Sequence, residues 1–193
     1  MANHCRLWLA QIEESIVQET IFIIGGCRSG KSGFSLQMAE QMPAQKKIFI
    51  ATCTPRDPEM EQRVLRHKSE RSREWATLEV PTRLPEAVLE NSRKENVILV
   101  DCLTLWISNL LLESDDPDNI EEQVLELTRS LEKARGPVVI VSNEVGTGIV
   151  PENRLARLFR DMAGMANQRI AACAGRVVWM VAGIPVTIKP KIS

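Results

Sequence analysis

The chain of 193 residues predicts an α/β fold, a mostly parallel sheet flanked by helices, on three observations. Short apolar runs recur at 21–24, 48–51, 97–100, 138–141 and 177–181, as strands covered on both faces require. Helical stretches lie among them at 31–42, 59–73, 84–92, 103–112, 120–135 and 153–174. Strands and helices that alternate in this way wind into a parallel sheet with crossover connections. The third observation is a glycine-rich octapeptide that joins the first apolar run to the first helical stretch.

The elements follow in order. Residues 1–20 are an extension ahead of the first strand, with Leu7, Ile12 and Ile16 spaced as a loose helical stripe, read as a packing or oligomer-contact helix. Residues 21–193 read as one domain, because the length suits one α/β core and is short for two. Ser114 to Asn119, with its turn formers and acids, reads as a surface loop. Pro185 follows Gly183 after the fifth run, so 186–188 should return as an antiparallel strand at a sheet edge.

Charge is balanced, with 24 Lys+Arg against 25 Asp+Glu. Neither a basic nucleic-acid surface nor an acidic tail is indicated. No apolar run approaches the ~20 residues of a membrane span, and residues 1–20 lack a secretory pattern, so a cytoplasmic protein is expected. Cys5, Cys27, Cys53, Cys102 and Cys173 contain no C-x-x-C pair and imply neither a disulfide framework nor a zinc site. Cys27, Cys53 and Cys102 sit just beyond strand ends. They either ring a ligand crevice or simply fit tight strand ends as small residues.

The octapeptide Gly25-Gly26-Cys27-Arg28-Ser29-Gly30-Lys31-Ser32 is a complete phosphate-binding loop. Its glycines bring backbone N–H groups around a β-phosphate, Lys31 reaches the β/γ oxygens, and Ser32 offers Mg²⁺ a hydroxyl. A strand before it and a helix after it supply the context that a bare pattern match lacks. The fold expected is therefore that of a P-loop NTPase of the RecA-like kind. Asp101 ends the third apolar run. It is either the carboxylate that holds Mg²⁺ in such a site or the N-cap of the helix near Leu103.

The fourth run opens into a Gly-containing loop with Glu144, a candidate acid-base or metal-shell residue. Beyond it, Arg154, Arg157 and Asp161 share a helix face too charged for core: a solvated face, an ion-paired seam or a substrate contact. In 59–73, Met60, Val64 and His67 fall on one face, so His67 is either a packed histidine or a phosphate-contacting nucleophile. Lys68, Arg71 and Arg73 around it favour the neutral imidazole that nucleophilic attack needs.

With these residues in place, 21–189 resembles the bifunctional adenosylcobinamide kinase / adenosylcobinamide-phosphate guanylyltransferase family of cobalamin biosynthesis. The resemblance rests on GGCRSGKS at 25–32, Ala51-Thr52, EMEQRVLRHKSERSREW at 59–75, VDCLTLWISNLL at 100–111 and NEVGTGIVPENRLARLFRDMAGMANQ at 143–168. It implies phosphorylation of the hydroxyl on the aminopropanol arm of adenosylcobinamide by GTP or ATP, then GMP transfer from GTP through a guanylyl-histidine to the corrinoid phosphate. It implies His67 as the guanylylated residue. It also implies GTP contacts at the phosphate loop, Ala51, Thr52, Cys53, Lys68, Ser69, Glu70, Arg71, Glu79 and Asp101, Mg²⁺ at Ser32 and Asp101, and a homotrimer. A small-molecule kinase without guanylyl transfer and a non-catalytic nucleotide switch are the alternatives.

Overall fold

The computed structural model describes residues 19–55, 58, 62, 72 and 74–190. The helix expected over 59–73, with His67, Lys68, Ser69, Glu70 and Arg71, lies outside the described residues apart from positions 62 and 72, as do Cys5 and the stripe in the extension.

Twelve elements run in chain order among the described residues: β1 (Thr20–Gly25), α1 (Lys31–Glu40), β2 (Lys46–Ala51), β3 (Trp75–Glu79), α2 (Leu84–Asn91), β4 (Asn96–Asp101), α3 (Leu103–Glu113), α4 (Pro117–Glu132), β5 (Val138–Asn143), α5 (Arg154–Cys173), β6 (Arg176–Val181) and β7 (Ile184–Lys189). All five expected strands are present. The sheet order is β3-β2-β4-β5-β1-β6-β7, parallel throughout except for β7, which returns antiparallel to β6. The closing turn is Ala182-Gly183, both at positive φ, 50° and 81°, the backbone twist that matches a two-residue hairpin.

Alternation along each strand divides the core in two. Ile21, Ile23, Leu99, Val139 and Val141 pack with Phe34 and Met38 of α1 on one face. Phe22, Ile24, Ile98, Val100 and Ile140 pack on the other against α2 to α5. Each such side chain, once fully buried, contributes about 1.5–3 kcal/mol of transfer free energy.

Two expectations need correction. β3 is an addition to the expected strands: its segment WATLE alternates between covered and exposed positions, because it is an edge strand paired only with β2. No apolar run forms there. The loop expected over 114–119 is shorter, since α4 begins at Pro117. Proline at the first turn loses no hydrogen bond, and the Asp116 side chain accepts the Asp118 N–H at 3.1 Å. The turn formers of this stretch start a helix. No described helix is long and apolar enough to cross a membrane.

Trp106 is fully buried, and its indole N–H donates to the Thr82 carbonyl at 2.6 Å. Trp106→Ala should therefore lower the free energy of unfolding by about 3–5 kcal/mol in urea titration. Trp106→Phe, which keeps most of the ring volume and loses the donor, should cost about 1–2 kcal/mol. A loss for the alanine variant below about 1 kcal/mol, the scale of an ordinary surface change, contradicts this placement.

Candidate active site

The phosphate loop leaves β1 at Gly25 and enters α1 at Lys31. Gly25 has no room for a side chain: a Cβ there would lie 2.5 Å from the Met180 carbonyl oxygen and 2.8 Å from Ser29 Oγ. Gly30 caps α1 at φ 89°, in the left-handed region. The helix start carries no side-chain cap, so its N–H groups and dipole face outward for an anion. Cys27 and Arg28 are exposed at the loop's tip, Ser29 is buried and Ser32 is half-buried. The terminal hairpin braces the loop as well, since the Gly183 N–H donates to the Ser29 carbonyl at 3.1 Å.

Lys31 is only 7 % exposed. Its ammonium donates to the Gly26 carbonyl at 2.5 Å and to Ser29 Oγ at 3.4 Å. Burial lowers its pKa from the ordinary lysine value, while the negative charge of Asp101 opposes the shift. A desolvated lysine placed this way gains strongly from anionic oxygens.

The second wall comes from strand order. β5 lies between β1 and β4, with Asn143 level with Gly25 and Val141 level with Asp101. By alternation Asp101 and Asn143 emerge on the α1 face, the side of Leu99 and Val141. Asp101 ends β4, and the N-cap of α3 is Cys102, with no side-chain cap bond. The capping alternative for Asp101 is therefore not what the fold uses. Ser32 and Asp101 are hard oxygen donors of the kind Mg²⁺ takes, and Asp101 lies near enough to Lys31 for its charge to act on the ammonium. The donor set fits the ion.

A polar network beneath the crevice fixes these strand ends. Thr52 is fully buried; its hydroxyl donates to the Cys102 carbonyl at 2.8 Å and accepts the Cys102 N–H at 2.9 Å. Asn109 donates to the carbonyls of Thr52, 2.7 Å, and Pro81, 3.0 Å. Asn143 donates to Thr104 Oγ1 at 2.8 Å, and Asn167 donates to the Asn143 carbonyl at 3.1 Å while accepting Ser142 Oγ at 2.6 Å. The Thr52 side chain thus tethers β2 to β4. Of the expected contacts Ala51, Thr52 and Cys53, the Thr52 side chain is thereby committed to the fold. Glu79 ends β3 beside Ala51 and lines a cleft of about 310 Å³ with Arg83 and Glu86.

Thr104, Asn109 and Asn143 lie in the stretches 100–111 and 143–168 that carry the resemblance, yet sequence reasoning gives them no role. The available signal is the polar end of VVIVSN, whose importance depends on β5 falling between β1 and β4. Glu144 stands at the crevice edge, where its N–H donates to the Gly25 carbonyl at 3.0 Å and its carboxylate accepts the Gly146 N–H at 2.5 Å. Arg157 donates to the carbonyls of Pro151 and Glu152, whereas Arg154 approaches Asp115 at 3.8 Å and Asp161 is exposed. The charged face braces the loop before α5. Among the cysteines, Cys27 lies on the loop and Cys53 is half-buried. Cys102 is buried and its pKa is pushed up to about 11 by burial and by Asp101. No group of three metal-ligating side chains occurs among the described residues.

Fold and site together define a P-loop nucleotide-binding protein. Likeness to solved structures agrees at the level of fold: an ATPase from the type III secretion system of pathogenic bacteria (TM-score 0.56, 11 % identity, covering 88 % of this chain and 56 % of that one) and the flagellar accessory protein FlaH of Methanocaldococcus jannaschii (TM-score 0.50, 14 % identity, covering 94 % and 83 %). The family model for cobinamide kinase / cobinamide phosphate guanyltransferase matches residues 21–188. The bifunctional adenosylcobalamin biosynthesis protein CobP of Pseudomonas aeruginosa is 39 % identical over 170 residues, covering 86 % of this chain and 95 % of that protein. CobU of Salmonella typhimurium is 38 % identical over 181 residues, covering 88 % and 99 %. This chain belongs to the cobinamide kinase / cobinamide phosphate guanyltransferase family.

Lys31→Met should abolish the rise in melting temperature that GTP confers on the wild type, because the loop loses its buried cation. Asp101→Asn should retain a GTP-induced rise without Mg²⁺ and lose the extra rise that Mg²⁺ adds. Thermal melts with and without Mg²⁺ read both; an unchanged rise in Lys31→Met would remove the loop from nucleotide binding.

Proposed function

We propose that this chain carries out both reactions for which its family is named: phosphorylation of adenosylcobinamide, then GMP transfer from GTP to the resulting phosphate, giving adenosylcobinamide-GDP in cobalamin biosynthesis. The observation that carries the reading is the family match over 21–188, supported by a phosphate loop whose Lys31 is buried and donates to the Gly26 carbonyl.

In the first reaction the corrinoid hydroxyl oxygen attacks the γ-phosphorus of ATP or GTP, the nucleoside diphosphate leaves, and the hydroxyl proton is released. Backbone N–H groups of the loop and the Lys31 ammonium neutralise the charge that spreads over the transferring oxygens. Mg²⁺, held by Ser32 and Asp101, would supply further neutralisation across the phosphates. In the second reaction a neutral His67 nitrogen attacks the α-phosphorus of GTP and pyrophosphate leaves. The corrinoid phosphate oxygen then attacks the same phosphorus and displaces the imidazole. Two in-line displacements replace one transfer between two anions.

Lys68, Ser69, Glu70, Arg71, Ala51, Thr52, Cys53 and Glu79 complete the proposed GTP site. Residues 21–193 act as one catalytic domain, in the cytoplasm and as a homotrimer. An exposed apolar row on the terminal hairpin favours assembly: Trp179 opposite Val186 and Val181 opposite Ile184 form a surface that a second copy would cover.

GTP labelled at the α-phosphate tests the covalent step. Label should remain on the denatured wild-type chain, be lost in acid and survive alkali, as a phosphoramidate does, and be absent from His67→Ala. Label that persists in His67→Ala, or none in the wild type, contradicts the proposal.

A further inference from the structure

The segment between β5 and α5 is pinned along its length yet presents two bare aliphatic side chains. At its root the Glu144 N–H holds the Gly25 carbonyl of the phosphate loop at 3.0 Å. One turn on, Arg160 Nη2 donates to the Gly146 carbonyl at 2.9 Å. At its far end Arg157 grips the carbonyls of Pro151 and Glu152, and Asn153 caps α5 through the Ala156 N–H at 3.1 Å. Between these anchors Ile149 is 96 % exposed and Val150 62 %.

Ile149 and Val150 together leave aliphatic surface in water that gains free energy when an apolar ligand covers it. The stretch Gly146-Thr147-Gly148-Ile149-Val150-Pro151 carries no charge, which suits a bulky, largely neutral ligand surface and not a phosphate. Its root is hydrogen-bonded to the loop that cradles the phosphates, at the carboxyl end of the sheet from which an acceptor must approach. The apolar row of the terminal hairpin offers a separate and larger surface for a second copy.

We infer that Ile149 and Val150 form an apolar contact for the macrocycle of the acceptor, and that Arg160 and Arg157 are positioning residues that hold this contact at the edge of the phosphate loop. The inference rests on the corrinoid reading above and adds to it the acceptor side of the site. Because the contact is made by the macrocycle and not by the nucleotide, the two substrates should separate in their response to its loss.

The test uses the full-length chain and Ile149→Ser/Val150→Ser, with Ile149→Ala/Val150→Ala as a second variant. At saturating GTP and Mg²⁺, KM for adenosylcobinamide should rise at least about tenfold, the equivalent of about 1.4 kcal/mol of lost apolar contact. The rate and GTP dependence of covalent labelling of the chain, which does not involve the corrinoid, should stay within about twofold of wild type. Sedimentation should give the same oligomer. An unchanged corrinoid KM in both variants overturns the proposal, and so does dissociation of the oligomer, which would assign the tip to a second copy. A wild type that labels with GTP but never turns over a corrinoid overturns the proposed function itself; wild-type turnover with an unaffected variant overturns the loop contact alone.

Discussion

The parallel pairing of β5 with β1 on one side and β4 on the other is the constraint on which the rest of the molecule depends. It keeps the phosphate loop and Asp101 one strand apart, with Gly25 beside Asn143 and Asp101 beside Val141. The phosphate loop and Asp101 thus both leave the sheet at its carboxyl edge, where open α/β sheets bind their ligands. A slip of one residue would turn Ile21, Ile23, Val139 and Val141 out of the core they fill with α1 and into the one packed against α2 to α5.

From that constraint the site follows in layers. Backbone geometry comes first: Gly25 admits the close approach of Met180 and Ser29, and Gly30 turns the chain into α1. Burial of Lys31 comes next, with a pKa lowered by desolvation and partly restored by neighbouring negative charge. The tethers of Thr52, Asn109 and Asn143 then hold the strand ends that face it. A rigid, partly dehydrated cradle of this sort neutralises phosphate charge with little reorganisation. Such a cradle does not distinguish attack at the γ-phosphorus from attack at the α-phosphorus. In the proposed mechanism the choice belongs to the nucleophile brought to it.

Much of this is legible in the sequence, for definable reasons. Buried parallel strands are continuous apolar runs, so β1, β2, β4, β5 and β6 stand out, and the phosphate loop stands out because its spacing is dictated by the ligand. β3 does not, because an edge strand covered on one side only gives a weaker pattern. The start of α4 is hidden because Asp116-Pro117-Asp118 serves a turn and a helix N-terminus equally well. Asn109, Asn143 and Thr104 are invisible as a set. Their hydrogen bonds join residues far apart in sequence, and only the strand order brings them together. The roles of Arg157 and Arg160 likewise depend on a helix folding back over a loop, where sequence spacing alone suggests only a charged face.

The central claim is that one phosphate-loop crevice serves both transfers, and inhibition by GDP, which occupies that crevice without donating a γ-phosphoryl or guanylyl group, tests it most directly. The inhibition constant measured against phosphorylation of adenosylcobinamide should agree within about twofold with that measured against covalent labelling of the chain by GTP. If GDP blocks phosphoryl transfer at concentrations that leave labelling untouched, the two reactions use separate nucleotide sites and the account is wrong.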